Sequence, residues 1–412
     1  MPDASRTSAL PASLRVFVVA GEASGDAQAA VLVRHLCALE PTWSFEGVGG
    51  SRMRQAGVRT LYDSSAWGTI GIWESLKLVP RLLRVKAAVA QRFRADAPDL
   101  LVLVDFGAFN FRLARTVRGL PRRIVYYFPP GSWKRRPASP EFAALTDLVI
   151  TPFPWSGDSL RAAGANAIFL GHPLLDTLAP PEAGEELLKQ LGMASGGPVF
   201  ALLPGSRRQE LKALLPPLLG AADRILEQEP EAHFLLAMAP NVTPEMVARL
   251  SGRPSVPLVG GREALPLSGG HQCALVPGAT SQCLAAADVV LSCSGTATLE
   301  AALMGKPLAL FYRVQGPAIL EGLLRRHSFR TIGLPNLIAG RRICPELIQT
   351  EVNPERLASE GLDLLRNQAR REQMIRDFTE LRSLLGKPGG SLRAAEQIVA
   401  LMRGARGTPA SQ

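Results

Sequence analysis

Short apolar runs that alternate with helical segments constrain this chain most strongly, because such alternation is typical of a parallel sheet covered by helices. The first run, residues 14–20, is followed by a turn at 21–26 and a helix over 27–39. Further runs of strand length lie at residues 100–105, 123–127, 148–151, 167–170, 199–203, 233–237, 289–292 and 308–312. The pattern predicts an α/β protein with two Rossmann-like, doubly wound domains that face a cleft.

The best boundary between the two domains follows Gly171-His-Pro173, where the chain becomes rich in Pro, Glu and Gly. We expect a disordered tail over residues 1–13, an N-terminal domain over 14–175 and a C-terminal domain over 185–352. Residues 353–404 have periodic apolar positions, which predict helices that pack back across the domains. A chain of 412 residues exceeds what one core usually serves.

The formal net charge of +10 indicates an acidic partner. An anionic membrane surface or a phosphorylated lipid is favoured over nucleic acid, since the chain has no helix-turn-helix signature and no basic-aromatic interleaving. No apolar run reaches transmembrane length and the start lacks a secretory signal, so we expect a cytoplasmic protein. The five scattered cysteines predict buried thiols, with neither a disulfide framework nor a zinc site.

Two segments of the C-terminal half read as an apolar strand, a Gly/Ser turn and a helix start. They are residues 202–210, Leu-Leu-Pro-Gly-Ser-Arg-Arg-Gln-Glu, and residues 292–300, Ser-Cys-Ser-Gly-Thr-Ala-Thr-Leu-Glu. A helix start presents backbone N–H groups and partial positive charge to an anion. Arg207 adds a guanidinium that binds phosphate through two hydrogen bonds. Since P-loop and dinucleotide-binding motifs are missing, the two turns predict a nucleotide diphosphate site outside those classes. Alternatively, each is only a strand-to-helix turn.

The order and spacing of many short motifs resemble the lipid-A-disaccharide synthase family, whose members are bacterial glycosyltransferases of the two-Rossmann-domain GT-B type. The resemblance extends from Leu14 to Met402. It is carried by residues 21–26, 47–53, 71–74, 104–105, 109–110, Trp133, 171–173, 203–207, 294–300, 312–313 and 334–341.

This resemblance implies transfer of 2,3-diacylglucosamine from its UDP derivative to the 6-hydroxyl of 2,3-diacylglucosamine 1-phosphate, with inversion and release of UDP. It implies no cofactor and no metal. The partners expected are the UDP-activated acylated sugar, a phosphorylated glycolipid acceptor and an anionic membrane, with a homodimer as a further expectation and no nucleic acid. The location implied is peripheral, on the inner face of the cytoplasmic membrane.

Asp105 is the candidate base for the incoming hydroxyl, since it ends an apolar strand where side chains project toward a ligand. A carboxylate that caps the next turn is the alternative. Glu22 and His172 are further catalytic candidates, although a satisfied linker histidine is the commoner case. The acceptor side is expected to include Gly21, Ser24, Gly25, Asp26, Asn110 and Trp133. Gly21 and Gly25 are expected to let the backbone approach the substrate. The alternative for Ser24 or Asp26 is a helix cap.

The donor side is expected to bind UDP-sugar through Gly205, Ser206, Arg207, Glu210, Ser294, Gly295, Thr296, Glu300, Asn336 and Arg341. Within this set, Glu300 is expected at ribose hydroxyls. Asn336 and Arg341 are expected at uracil or phosphate, with loop scaffolding as the alternative.

Large apolar residues mixed with cations between residues 70 and 86 predict a membrane-interface segment. The candidates are Ile70, Ile72, Trp73, Leu76, Arg81, Leu82 and Arg84. Residues 319–326 form a shorter example. A helix packed on the core with one solvated face is the alternative interpretation.

Two departures from the family fall in the acceptor-side half. Where the family usually has Asp-Ala-Pro-Asp-Phe-Asn, residues 105–110 are Asp-Phe-Gly-Ala-Phe-Asn, so that Ala108 replaces the second carboxylate. Residues 129–136 keep one tryptophan and add charge. A diverged glycosyltransferase with another lipid acceptor is therefore an alternative. Others are a non-catalytic, membrane-associated nucleotide-sugar-binding protein and, further off, a UDP-N-acetylglucosamine 2-epimerase.

Overall fold

The computed structural model describes residues 13–65, 67, 72–129, 138–193, 196–258, 261–313 and 331–404. The chain divides into two compact units. One extends to Asp176 and resumes at Leu384, and the other is Thr177–Ser383. Each unit has its own parallel sheet with helices around it, so the predicted fold class of two Rossmann-like α/β domains is confirmed.

The sheet of the first unit is parallel throughout, in the order β3-β2-β1-β4-β5-β6-β7. Its strands are β1 (Arg15–Ala20), β2 (Ser44–Gly49), β3 (Arg59–Asp63), β4 (Leu100–Val104), β5 (Arg123–Tyr127), β6 (Leu148–Thr151) and β7 (Ala167–Phe169). The helices between them are α1 (Glu22–Leu39), α2 (Ser51–Gln55), α3 (Ile72–Ala95), α4 (Gly107–Thr116), α5 (Pro140–Ala144) and α6 (Pro154–Ala162). The strand order reverses between β1 and β4, and such a switch point is where ligands bind in folds of this kind.

The central strands are buried on both faces, which explains their continuous apolar sequences. Every residue of β4 is buried. In β1, Val16 and Val18 face one core cluster, whereas Phe17 and Val19 face the other. The two clusters cover the two faces of the sheet and hold its carboxyl edge in place.

The second unit has an eight-stranded sheet in the order β10-β11-β12-β9-β8-β13-β14-β15. Its strands are β8 (Val199–Leu203), β9 (His233–Met238), β10 (Val256–Pro257), β11 (Glu263–Pro266), β12 (Gln272–Pro277), β13 (Val289–Cys293), β14 (Leu308–Tyr312) and β15 (Glu346–Ile348). Only the pairs that involve β11 are antiparallel in the described part of this sheet. The order reverses between β8 and β13, the strands that lead into the two Gly/Ser turns.

The helices of the second unit are α7 (Pro181–Gln190), α8 (Arg208–Leu226), α9 (Pro244–Ser251), α10 (Thr280–Ala286), α11 (Thr296–Leu303), α12 (Leu334–Ala339), α13 (Pro354–Arg366) and α14 (Gln368–Leu384). The chain then returns to the first unit with α15 (Gly390–Met402). Helix α15 packs on α1 and contributes Ala394, Ala395, Ile398 and Met402 to the core there. The helices after residue 353 therefore divide between the two units, with α13 packed on α8.

Candidate active site

Strained backbone marks the carboxyl edge of the first unit's sheet. Glu22 (φ 61°), Asp105 (φ 47°), Phe106 (φ 46°) and Phe128 (φ 63°) are non-glycine residues with positive φ. They follow β1, β4 and β5, three neighbouring strands. Such conformations cost energy and cluster at functional sites. The strain therefore points to this edge as a binding or catalytic site.

Asp105 is held there through its main chain. Its carbonyl oxygen accepts one hydrogen bond from the Asn110 amide (2.8 Å) and one from the Tyr126 hydroxyl (2.7 Å), and its N–H donates to the Tyr127 carbonyl (3.1 Å). Burial, with the nearby Glu22 carboxylate as a second cause, raises the pKa of Asp105 to about 6. A carboxylate with this pKa is a competent general base near neutral pH.

Asn110 supports Asp105 from inside the protein. Its side chain is fully buried, and its amide also donates to the Val104 carbonyl at 3.1 Å. The predicted contact of Asn110 with the acceptor substrate is therefore corrected. The buried amide instead has a structural role, because it fixes the turn after β4. Tyr126 also holds the Asp105 carbonyl. It is not predicted from the sequence, because its position near the end of β5 is its only sequence signal.

The turn after β1 is the first turn of α1 and not a loop. Position 21 requires glycine because a Cβ there would lie 2.2 Å from the Phe106 ring. A Cβ at Gly25 would make ordinary contact with the Cβ of Asp105 at 3.8 Å. Ser24 is partly buried on the same turn. The group that lies close to Gly21 is thus the Phe106 ring and not the predicted substrate.

Asp26 has a structural task as well. Its buried carboxylate accepts hydrogen bonds from the N–H groups of Gly50 (2.7 Å), Arg52 (3.0 Å) and Met53 (3.2 Å). These are the first amides of α2, so Asp26 caps a helix that is distant in sequence. The expectation that Asp26 contacts the acceptor is corrected, because its oxygens are occupied by the backbone.

The first Gly/Ser turn of the second unit already holds an anion, the carboxylate of Glu210. One oxygen of Glu210 accepts from the N–H groups of Ser206 (2.9 Å) and Arg207 (3.1 Å), and the other from the Arg207 guanidinium (3.1 Å). A Cβ at Gly205 (φ 106°) would lie 2.4 Å from that carboxylate. Glu210 therefore does not present its oxygens to UDP-sugar, contrary to the prediction, and these two amides are not open to a phosphate.

The second turn, at the end of β13, is open. A Cβ at Gly295 would meet no atom within 4 Å. The N–H groups of Gly295 and Thr296 donate to no acceptor among the described residues, while Thr298 returns its hydroxyl and its N–H to the Gly295 carbonyl. Ser294 is tied to the Ile332 carbonyl through its hydroxyl at 3.1 Å. The first turn of α11 thus offers its amides to an anion, and Glu300 lies one turn further along the same helix.

Two other donor-side candidates, Asn336 and Arg341, have partners within the protein. The amide of Asn336 donates to the carbonyl of Cys344 (2.9 Å) and to Glu346 (2.7 Å), and its oxygen accepts from the N–H of Ile343 (2.7 Å). Asn336 is buried and cannot reach uracil. Arg341 pairs with the carboxylates of Asp377 (2.9 Å) and Glu380 (2.8 Å) at the surface. Asn336 therefore acts as scaffolding, which is the alternative for this loop. The surface ion pairs of Arg341, whose side chain is 49% exposed, do not exclude a ligand, so its donor-side role stays a prediction.

The family of the chain follows from comparison with known proteins. The family model described as lipid-A-disaccharide synthetase matches residues 16–400. The chain belongs to this family. A curated relative, the lipid-A-disaccharide synthase of Myxococcus xanthus (strain DK1622), is 36% identical over 391 residues, which cover 94% of this chain and 97% of that protein.

Solved structures agree with this fold. The MnaA–UDP structure from S. aureus has a TM-score of 0.61 at 13% identity and covers 97% of this chain and 99% of that one. A glycotransferase of kitacinnamycin has a TM-score of 0.58 at 16% identity, with 95% and 100% covered. At these identities the likeness shows the fold alone. Membership of the lipid-A-disaccharide synthase family makes the protein a glycosyltransferase.

His172 of this synthase-family protein does not have the surroundings of a catalytic group. It is buried between the rings of Phe128 and Phe153, both at 5.5 Å, and its Nδ1 accepts from the N–H of Leu174 at 3.2 Å. Burial lowers the pKa of His172 to about 3, despite Asp176 nearby. The imidazole is therefore neutral and packed, so the catalytic prediction is corrected to a structural role.

The predicted membrane segment of the synthase-family protein lies on α3. The candidate Leu82 packs against the core, whereas Leu83 of the same segment is 46% exposed. Arg81 and Arg84 are exposed beside it. Ile70, Trp133 and residues 319–326 lie outside the described residues, as do the side chains of Ile72, Trp73, Leu76 and Ala108. No helix among the described residues is long and apolar enough to cross a bilayer.

Proposed function

We propose that the protein transfers 2,3-diacylglucosamine from its UDP derivative to the 6-hydroxyl of 2,3-diacylglucosamine 1-phosphate. Asp105 takes the hydroxyl proton, the oxygen forms a bond to C1 of the donor sugar, and the bond from C1 to the diphosphate breaks with inversion. UDP leaves with the bonding electron pair. The observation that carries the proposal is Asp105 itself, a residue with a strained backbone and a raised side-chain pKa at the switch point of its sheet.

The departing UDP needs positive charge as the bond to C1 breaks. Within the second unit, the open N–H groups of Gly295 and Thr296 and the guanidinium of Arg207 are the groups proposed for this task. They follow β13 and β8, which are neighbours in the sheet. Ser206 and Gly205 shape the turn that carries Arg207, and Glu300 is proposed for the ribose hydroxyls.

The test uses the purified protein with donor and acceptor in detergent micelles, and follows UDP release and the disaccharide by mass spectrometry. We expect disaccharide, with kcat/KM about 100- to 1000-fold lower in Arg207→Ala because a charge-assisted contact to the diphosphate is lost. Arg249→Ala, an exposed arginine of the same unit, is the control and should keep full activity. A polyprenyl phosphate acceptor is run in parallel. Product on that acceptor alone would identify a diverged enzyme, and UDP binding without any product would identify a non-catalytic binding protein.

Peripheral attachment to an anionic membrane completes the proposal. Exposed Leu83 between Arg81 and Arg84 combines an apolar group with cations, as at a bilayer surface. We expect Leu83→Asp to lower binding to phosphatidylglycerol-containing vesicles by about 10-fold, because an apolar contact is lost and a like charge is added.

The measurement for this prediction is co-sedimentation with vesicles at fixed ionic strength. Leu392→Asp is the matched control, since Leu392 is an exposed leucine of the same unit on α15. Equal loss in both variants would show that the effect comes from net charge and would contradict a contact at Leu83.

A further inference from the structure

The buried carboxylate of Glu210 occupies a position where the sequence predicts a phosphate. Glu210 lies in the first turn of α8 and is only 5% exposed. Its three hydrogen-bond partners are the N–H groups of Ser206 and Arg207 and the Arg207 guanidinium. The N–H groups of Ser206 and Arg207 therefore already have an acceptor within the protein.

The turn is also fixed from its other side. The amide of Asn241 donates to the Ser206 carbonyl at 2.9 Å. Gly205 adopts φ 106° and lies against the carboxylate so closely that a Cβ would be 2.4 Å from its oxygen. A ligand could displace Glu210 only if the carboxylate found equal partners elsewhere, because an unpaired buried charge is costly.

Arg207 is held by the same carboxylate. Its guanidinium is partly exposed, whereas the Glu210 carboxylate that it contacts is buried. The ion pair therefore holds the buried side of the guanidinium and leaves its other side exposed. Leu203 at the end of β8, four residues before Arg207, pairs with Ser292 of β13, three residues before Gly295. The pair thus lies close to the strand that leads into the open turn at Gly295.

We infer that Glu210 is a positioning residue, which fixes the turn at residues 205–207 and directs the Arg207 guanidinium to a diphosphate bound at the Gly295–Thr296 turn. The inference rests on the proposed function and assigns a different role to each of the two turns. The first turn carries the arginine and binds no phosphate with the amides of Ser206 and Arg207, whereas the second turn supplies the amide contacts.

The test is a double-mutant cycle with UDP as the ligand, measured by calorimetry on the full chain. Glu210→Gln keeps the size of the side chain but removes the charge and places an N–H₂ group at one of the oxygens. We expect it to weaken UDP binding by about 10- to 100-fold in the wild-type background and by less than about 2-fold in Arg207→Ala, since both changes act through the same guanidinium. Glu245→Gln, in the first turn of α9, is the matched control.

A second variant displaces the carboxylate without changing any charge. Gly205→Ala should weaken UDP binding as much as Glu210→Gln, because the new Cβ would lie only 2.4 Å from the carboxylate oxygen and push it away. Gly252→Ala is its control, since Gly252 also has a positive φ of 73° but a Cβ there meets no atom within 4 Å. Thermal unfolding is followed for each variant.

Two results would overturn the inference. In one, Glu210→Gln binds UDP as tightly as the wild type or more tightly, which is expected of an internal anion that the diphosphate must expel. In the other, the loss is equally large in the Arg207→Ala background. Failure of the wild-type protein to bind UDP would be a different result, because it would contradict the proposed function on which the inference rests.

Discussion

Asp105→Asn is expected to lower kcat by about 1000-fold or more while the folded state becomes more stable at neutral pH. Catalysis is lost because an amide cannot take the proton of the acceptor hydroxyl. Stability rises because burial and the neighbouring Glu22 carboxylate disfavour the charged form of Asp105, which is why its pKa is raised from 3.8 to about 6. Asparagine at this position carries no charge to desolvate.

The pH dependence of this effect has a definite sign. The folded state holds the Asp105 proton more tightly than the unfolded state, so the wild-type protein loses stability as the pH rises from about 4 to about 6. A shift of this size corresponds to roughly 2–3 kcal/mol, and partial solvent access reduces it. The advantage of Asp105→Asn should therefore be full at pH 7 and absent below pH 4.

Denaturant unfolding at several pH values and the pH profile of kcat/KM check both halves of this prediction. In the wild type, kcat/KM should fall as the pH drops through about 6. Asp158→Asn is the control, since Asp158 is a surface residue of the same unit. An active Asp105→Asn variant, or one that is less stable than the wild type at pH 7, would exclude Asp105 as a base with a raised pKa.

Among the proposed substitutions, Asp26→Ala should destabilise the protein most, with a loss of about 2–4 kcal/mol in the free energy of unfolding. The substitution leaves three backbone N–H groups of the α2 start without their acceptor, those of Gly50, Arg52 and Met53. Asp26→Asn should lose less, because one side-chain oxygen can still accept from Gly50 and Met53.

Chemical denaturation and kcat of the folded fraction separate this role from one in substrate binding. The folded fraction of Asp26→Ala should keep most of its kcat, since its oxygens face the backbone. Asp158→Ala serves as the control with little change in either quantity. A variant of unchanged stability with strongly reduced kcat would restore Asp26 to the acceptor site.

The sequence predicts most of the buried strands, but it misses β12, although residues 273–276 of that strand are buried. Residues 123–127, 148–151, 199–203 and 308–312 were predicted with the observed bounds. β3 and β10 were missed because they are short and partly exposed, so that their sequences lack a continuous apolar run. α1 begins at Glu22 and not at Ala27, since the two glycines of that turn concealed its first helical turn.

For the site, the sequence identified Asp105 from its place at a strand end but could not reveal its strain, which depends on three neighbouring strands. Asp26, Glu210 and Asn336 were assigned to ligands although they bind backbone groups. Most of these partners are set by tertiary structure. For Asp26 they lie 24 to 27 positions along the chain, and no local pattern signals them. Glu210 is different, because its spacing from Arg207 is that of a capping residue and a carboxylate at N3 was a local signal.

The return of the chain to the first unit in α15 has a consequence for biosynthesis. The core of that unit is incomplete until residues 390–402 have left the ribosome, whereas the second unit is a continuous segment, Thr177–Ser383. During translation the second unit can close its core first, even though its sequence comes later. Until α15 has emerged and packed, α1 exposes the apolar face that α15 covers. This nascent intermediate is the form of the protein that a chaperone would have to protect.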